Sequence, residues 1–188
     1  MSESLKRLSR IRFVFFILLF SGGLDLAAQT EISKEYQVKA VFLFNFAQFV
    51  EWPTNSFSDA QVPLTIGVLG DDPFGDFLDA TVRGEKVGGH PLVVQRFRRV
   101  EDVKDCRILF ISRSESRQMK RILADLKQQK MLTVSDVESF SESGGVIGFV
   151  TVQNKIRFKI NLDAGKNANL AFSSKLLRLA EIVGSGKN

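Results

Sequence analysis

The sequence predicts a single α/β domain with a mainly parallel sheet flanked by helices, a C-terminal β-hairpin and a final helix. Short apolar runs alternate with helical patterns from residue 64 to residue 134, which is typical of parallel strands covered by helices. After that, residues 155–162 alternate strictly between apolar and polar side chains, which favours an antiparallel hairpin. The 188 residues are 44% hydrophobic and 25% charged, as in ordinary globular proteins that bury a core without disulfides.

The first 28 residues have the three parts of a secretory signal. Four cations precede the apolar run Phe13–Phe20, and small residues follow as far as Ala28. The run has 8 residues, whereas a membrane span needs about 20. We therefore expect export from the cytoplasm and one mature domain over residues 29–188. Leu26 stands where a small residue is preferred, which leaves an uncleaved, tethered form open.

The net charge of the mature chain is too small to indicate nucleic-acid binding. Removal of residues 1–28 lowers the formal net charge from +5 to +3. The cluster Arg96, Arg98 and Arg99 is interrupted by an aromatic residue and followed by two acids. It suits a strand that ends in a turn of mixed charge better than a phosphate-binding groove.

An unusually apolar helix is predicted over residues 31–52, ending before Pro53. Ten of the thirteen residues from 38 to 50 are apolar, although Lys39 and two amides argue against a membrane span. Such a helix is buried within its own domain or offers a face to another chain. Phe42, Phe46 and Phe49 are therefore candidate partner-binding residues, with core packing as the alternative.

The remaining elements follow in order. Strands are predicted at residues 64–69, 92–97, 108–111 and 131–134, and the hairpin at 146–152 and 155–162 with a turn at Gln153-Asn154. Asp72 and Pro73 are expected to start one helix, and a second is expected to begin near Ser114. The final helix is expected from about Asn167 to Val183.

Polar residues follow several of these strands at the carboxyl edge of the sheet, where α/β folds commonly bind ligands. This placement predicts a pocket formed by Asp71, Asp72, Ser112, Ser135 and Asp136. The two adjacent acids disfavour a phosphate cradle, and no Lys-Ser/Thr pair follows the turn.

The sequence contains no recognisable catalytic or metal-binding constellation, and we predict neither a cofactor nor an enzyme. His90 is the single histidine and lies in a predicted loop between glycine and proline. Cys106 is the single cysteine, so no disulfide can form within one chain. It is either a buried small hydrophobe or the site of an intermolecular disulfide.

Several segments, in order and spacing, resemble the YfiR-like family of periplasmic signalling regulators. The similarity covers nearly all of residues 35–183 and is carried by the segments 39–53, 66–75, 106–111, 132–136, 144–147, 158–162 and 173–177. It implies a regulator that binds an inner-membrane signalling protein. The family's namesake represses a membrane diguanylate cyclase, which lowers cyclic di-GMP and biofilm formation. The namesake is a homodimer that an outer-membrane lipoprotein sequesters, and its additional cysteines are missing here.

We therefore expect a non-enzymatic periplasmic regulator whose partner is an inner-membrane diguanylate cyclase or sensor kinase. A periplasmic small-ligand binding module that feeds a sensor or transport system is the alternative. An exported hydrolase is a third hypothesis, which the single loop histidine disfavours.

Overall fold

The computed structural model describes residues 23–52 and 62–184, with side chains from residue 34 onward. The chain divides into two compact units, residues 1–36 and residues 37–188. Of the first unit the structure describes residues 23–36, which are helical. Most of the predicted leader and the predicted helix stop at Pro53 lie outside the described residues.

The elements in chain order are α1 (Gly23–Phe49), β1 (Val50–Glu51), β2 (Leu64–Leu69), α2 (Asp76–Val82), β3 (Lys86–Val87), β4 (His90–Phe97), β5 (Ile108–Ile111), α3 (Met119–Leu126), β6 (Leu132–Ser135), β7 (Ile147–Val152), β8 (Lys155–Asn161), α4 (Leu162–Asn167), β9 (Ala171–Phe172), α5 (Ser174–Leu177) and β10 (Glu181–Val183). Two 3-10 turns, Val100–Asp102 and Arg113–Gln118, precede β5 and α3 respectively.

The predicted fold class is confirmed by the sheet of the second unit. Eight strands lie in the order β10-β8-β7-β6-β5-β2-β4-β3. Neighbouring strands from β4 to β7 are parallel, whereas β7 and β8 form an antiparallel hairpin. Every residue of β2, β5 and β6 is buried, because helices and loops cover both faces of the central sheet.

The hairpin turn lies where the sequence predicts it. Gln153 and Asn154 have φ angles of 50° and 58°, and a two-residue turn with both residues in the left-handed region matches the twist of the flanking strands. Phe149 lies opposite Phe158 in the hairpin register, so both rings are on the same face of the sheet.

The first predicted helix ends earlier than expected. The chain leaves the helix at Phe49, and Val50 and Glu51 pair with Phe172 and Ala171 in a two-stranded ladder. The Ser173 N–H also donates to the Phe49 carbonyl at 3.0 Å. A distant segment therefore satisfies the backbone groups that the last helical turn would have used.

The start of α2 is also corrected by the structure. The helix begins at Asp76, not at Pro73, and its N-cap is Gly75 with a φ of 53°. The carboxylate of Asp72 instead accepts a hydrogen bond from the Phe74 N–H at 2.7 Å, which closes a turn before the helix.

The prediction of a single final helix from Asn167 to Val183 is wrong. The structure has the end of α4, strand β9, the four-residue helix α5 and strand β10 in its place. Asn169 has a φ of 57°, which breaks the helical path, and Glu181–Val183 pair with β8 as the last strand of the sheet. Backbone hydrogen bonds to neighbouring strands therefore determined the secondary structure of this segment, although its apolar residues have helical spacing.

Among the described residues, no helix combines the length and the apolar character that crossing a membrane would need.

Candidate functional site

The part of α1 in the second unit is anchored by a cluster of four phenylalanines. Phe42 and Phe46, one helical turn apart, both pack on Phe149 and Phe158 of the hairpin, with ring centroids 5.2–5.9 Å apart. Several of these contacts are edge-to-face or tilted, the arrangement that aromatic quadrupoles favour. The cluster fixes the helix against the β7–β8 hairpin.

A buried ion pair ties the same helix to the carboxyl end of β6. Lys39 Nζ lies 2.5 Å from Asp136 Oδ2, and it lies 5.9 Å from the centre of the Phe149 ring. Arg113 reaches the same carboxylate from the surface, with Nε 3.3 Å from Oδ2, although its own side chain is 61% exposed. Two cations therefore converge on one buried carboxylate, which offsets the cost of removing these charges from water.

The helix leaves an apolar stripe partly open to solvent. Val38 and Val41 are each 44% exposed, and Phe42 and Phe49 are half-buried. Their spacing of three, four and eleven residues from Val38 places all four on one side of a 3.6-residue helix. We call Val38, Val41, Phe42 and Phe49 the α1 stripe. It lies beside the buried face that carries Lys39 and Phe46.

The three candidate partner-binding residues occupy different environments. Phe46 is fully buried, so its contacts are internal to the domain. Phe42 is half-buried at the border between helix and hairpin, and Phe49 is half-buried at the end of the helix. Only Phe42 and Phe49 are therefore accessible to another molecule in this structure.

The five residues of the predicted pocket do not all converge. Ser112, Ser135 and Asp136 lie at the carboxyl ends of β5 and β6 and are buried. The Ser135 hydroxyl donates to the Ile111 carbonyl at 2.7 Å and accepts from the Val137 N–H at 3.1 Å. The Ser135 hydroxyl is therefore engaged within the protein.

Asp71 and Asp72 diverge from one another. The backbone N–H of Asp71 donates to Ser114 Oγ at 3.0 Å, which keeps Asp71 near the end of β5. The carboxylate of Asp72 accepts from Arg96 Nε at 2.9 Å, and the same guanidinium also pairs with Asp79. The hydrogen bond from Arg96 lowers the pKa of Asp79 below its usual value.

A cavity lies at the other edge of the sheet. It has a volume of about 370 Å³ and is lined by residues that precede β6 and β7, such as Met131 and Val146. Lys120 and Lys127 of α3 and Asp163 of α4 also line it. A cavity of about 210 Å³ lies between the loop 137–142 and the hairpin. Another, of about 280 Å³, is lined by residues of the segment 100–104 and by Asp125 and Gln129.

The side chains of His90 and Cys106 both make contacts within the protein. His90 Nδ1 lies 2.8 Å from the Val62 carbonyl, at the start of β4. Cys106 is buried beside Gly67, and burial raises the pKa of its thiol to about 12. Within residues 34–52 and 62–184, His, Cys, Asp and Glu form no group of three suited to a metal ion.

Lys39 and Arg113 were missed as functional candidates by the sequence analysis. A signal was present for Lys39, because it is the only charged residue in the apolar segment 38–50 and neighbours the stripe that includes Ala40, Leu43 and Ala47. Arg113 follows Ser112 in a polar segment and has no local signal.

Comparison with known proteins identifies the family. A sequence profile of the YfiR/HmsC-like family matches residues 36–181. No curated protein matches the chain. A conserved domain protein from Vibrio cholerae O1 biovar El Tor is similar in structure with 12% identity and a TM-score of 0.47, over 63% of this chain and 54% of that one.

The ABC domain from Streptococcus pneumoniae, solved in complex with L-Trp, is similar with 9% identity and a TM-score of 0.48, over 64% of this chain and 55% of that one. The chain thus spans about half the length of either solved structure. The profile match covers most of the sequence, including the α1 stripe, the phenylalanine cluster and the Lys39–Asp136 pair. The chain belongs to the YfiR/HmsC-like family, whose members are in general periplasmic, regulatory, non-catalytic proteins of cyclic di-GMP signalling.

Proposed function

We propose that this protein binds and represses an inner-membrane diguanylate cyclase from the periplasmic side, and so lowers cyclic di-GMP and biofilm formation. The α1 stripe is the observation that carries the proposal. It exposes two valines and, in part, two phenylalanines on a helix that the cluster and the ion pair hold in place. A preorganised apolar surface binds a partner at a smaller entropic cost than a mobile one.

Repression of this kind needs no chemistry in the regulator. A protein that binds the inactive conformation of a receptor more tightly than the active one shifts the receptor population by that difference in affinity. Export through a leader over residues 1–28 would place the regulator in the compartment of the cyclase's extracytoplasmic part.

The proposal is tested with substitutions in the α1 stripe. Val38→Asp and Val41→Asp introduce charge at positions that are already 44% exposed, so they should leave the fold intact. We expect both to raise cellular cyclic di-GMP to the level of a deletion strain and to abolish recovery of the cyclase by crosslinking from membranes. The matched control is Phe77→Asp, which charges a 39% exposed aromatic residue on α2.

Three outcomes would contradict the proposal. Unchanged cyclic di-GMP in the deletion strain would exclude cyclase repression, and recovery of a sensor kinase would identify the other expected partner. Equal effects of Phe77→Asp and Val41→Asp would show that the α1 stripe has no special part in binding.

The family resemblance further supports a homodimer and an outer-membrane lipoprotein as a second partner. Light scattering of the purified protein tests the first, with twice the monomer mass expected. Coprecipitation of an outer-membrane lipoprotein tests the second, and its absence under crosslinking would remove that partner.

The cavity of about 370 Å³ favours one second candidate, a small-ligand binding module. Its lining combines apolar residues such as Leu126, Met131 and Val146 with three charged residues, Lys120, Lys127 and Asp163, a mixture that small-molecule sites commonly have. Native mass spectrometry of the purified protein would reveal a retained metabolite. A retained molecule together with no recovered membrane partner would replace the regulatory proposal by this one.

A further inference from the structure

One side of α3 forms a wall of the cavity of about 370 Å³, which lies between α3 and α4. The opposite side of the helix is buried in the core through Met119, Ile122 and Leu126. Residues three, four and seven positions apart lie on one side of a helix. The wall residues have this spacing and are Lys120, Leu123, Ala124 and Lys127.

The wall has a cation near each end and aliphatic side chains between them. Lys120 and Lys127 are about two helical turns apart, so their Cα atoms are separated by about 10 Å along the helix. Leu123 and Ala124 occupy the turn between the two lysines. A ligand that lies along this wall therefore meets both charge and apolar surface.

The two lysines carry charge that the protein leaves available. Neither of them pairs with an acid among the residues that the structure describes. Asp125 of the same helix pairs with Arg121 at 3.7 Å instead. Asp163 also lines the cavity, and its carboxylate lies beside Gly184, where a Cβ would be 2.9 Å from Oδ2. Two lysines and one aspartate give the lining a formal charge of +1, which matches a single anionic group.

The wall opposite α3 is fixed by hydrogen bonds. Asn161 Nδ2 donates to the Ser141 carbonyl at 2.7 Å, and Asn161 Oδ1 accepts from the Ala164 N–H at 2.9 Å. These bonds join the start of α4 to the loop before β7. The cavity therefore has walls that are formed before a ligand arrives, which lowers the entropic cost of binding.

The uncharged part of the lining is aliphatic or polar. Met131 and Val146 contribute apolar side chains next to Leu123 of the α3 wall. None of the described residues that line the cavity is aromatic, so an aromatic ligand would find no ring to stack on. This lining favours an aliphatic ligand over an aromatic one.

We propose that this cavity binds a short-chain aliphatic carboxylate. The carboxylate pairs with the lysines of α3, and the chain lies along Leu123 and Ala124. The volume is within the range of about 300–1,000 Å³ that small-ligand sites have. An inorganic anion would leave the apolar lining without a partner. The inference rests on the small-ligand candidate function given above, whose ligand class it names, and it does not depend on the α1 stripe.

The test is calorimetric titration of the purified protein with octanoate, in parallel with four related compounds. Octanamide has the same chain without the charge and should bind about tenfold more weakly. Acetate has the charge without the chain and should bind more than tenfold more weakly, because most of the apolar contact is lost. Inorganic phosphate and 3-phenylpropionate should also bind more weakly than octanoate. Octanoate binding should weaken as salt rises.

Substitutions at the α3 wall assign the binding to this cavity. Lys120→Gln and Lys127→Gln should each raise the Kd of octanoate about threefold, and together about tenfold. The matched control, Lys155→Gln/Lys175→Gln, removes two exposed lysines that do not line the cavity and should change the Kd less than twofold. Ala124→Phe adds a ring at an exposed helical position, so it should block the cavity without lowering the melting temperature.

Equal losses in the two double lysine variants would overturn the proposal, and so would unchanged octanoate binding by Ala124→Phe. Phosphate or 3-phenylpropionate that binds as tightly as octanoate would overturn the ligand class. A retained metabolite without a carboxylate would also overturn the ligand class, but it would support the small-ligand candidate function. Octanoate binding by a protein that represses the cyclase would support this inference and contradict that candidate function, so the two can fail separately.

Discussion

Lys39 and Asp136, 97 positions apart in the chain, form an ion pair of 2.5 Å in which each side chain is only 1% exposed. The pair joins the helix that carries the α1 stripe to the carboxyl end of the central sheet. A buried pair seldom adds net stability over apolar residues, but it strongly disfavours arrangements that separate its members. The position of the α1 stripe is thereby linked to the sheet.

The two members of this pair should respond differently to substitution. Asp136→Asn leaves the buried Lys39 ammonium without its carboxylate, and should lower the free energy of unfolding by about 3–5 kcal/mol. Lys39→Met should cost less, because Arg113 still lies 3.3 Å from the carboxylate. Urea unfolding at pH 7 measures both. A larger loss of unfolding free energy for Lys39→Met than for Asp136→Asn would contradict the sharing of the Asp136 carboxylate by Lys39 and Arg113.

Phe46 and Val41 should separate stability from binding. Phe46 is fully buried in the aromatic cluster, so Phe46→Ala should lower the free energy of unfolding by about 3–5 kcal/mol. Val41→Ser alters an exposed position and should change it by less than about 0.5 kcal/mol. Thermal melting gives the comparison. A similar loss in both variants would mean that Val41 packs in the core.

The Arg96–Asp79 pair should give a pH-dependent contribution to stability. Because Arg96 lowers the pKa of Asp79 in the folded protein, this contribution is present above the unfolded value of 3.8 and is lost as the pH falls through the folded value. Arg96→Gln should cost at most about 1 kcal/mol at pH 7, since Asp79 is exposed to screening by solvent.

Unfolding curves from pH 7 to pH 2.5 would check this prediction. The difference in free energy of unfolding between the native protein and Arg96→Gln should shrink below pH 3.8. An NMR titration should also give Asp79 a higher pKa in the variant. A gap that stays constant over the whole range would assign the effect to the bond between Arg96 and the Gly75 carbonyl.

Cys106 should be unreactive in the folded protein. Burial raises the pKa of its thiol to about 12, so almost no thiolate exists at pH 8. An aromatic disulfide reagent should label it only after unfolding in guanidinium. Non-reducing electrophoresis should show no covalent dimer. A dimer that disappears in Cys106→Ala would instead establish the intermolecular disulfide.

Gly145 should tolerate no side chain, because a Cβ there would overlap the Phe140 ring. Gly145→Ala should lower the free energy of unfolding by about 1–3 kcal/mol through overpacking. Adding Phe140→Leu shortens the opposing side chain, so the double variant should lose less than the sum of the two single losses. Additive losses would show that the ring is not what excludes the methyl group.

Elements with a strong local pattern were predictable from the sequence alone. The bounds predicted for strands 64–69 and 108–111 are those observed, because short β-rich runs between turn residues have few alternatives. The hairpin turn at Gln153-Asn154 follows from local preferences as well, since few residues adopt two consecutive left-handed conformations. The apolar excess of residues 38–50 indicated a helix that is buried within its own domain or offers a face to another chain.

Only the tertiary structure decided the features that depend on distant partners. Residues 171–172 and 181–183 have helical spacing, but they became strands because β1 and β8 offered unpaired backbone groups. Lys39 became a buried ion-pair residue because Asp136 lies at the end of β6, a proximity that no local pattern encodes. The sequence determined which segments form helices and strands wherever neighbouring residues set the preference. Long-range hydrogen bonds and charge pairing determined the remaining elements and the anchoring of the α1 stripe, since their energies exist only once the chain has folded.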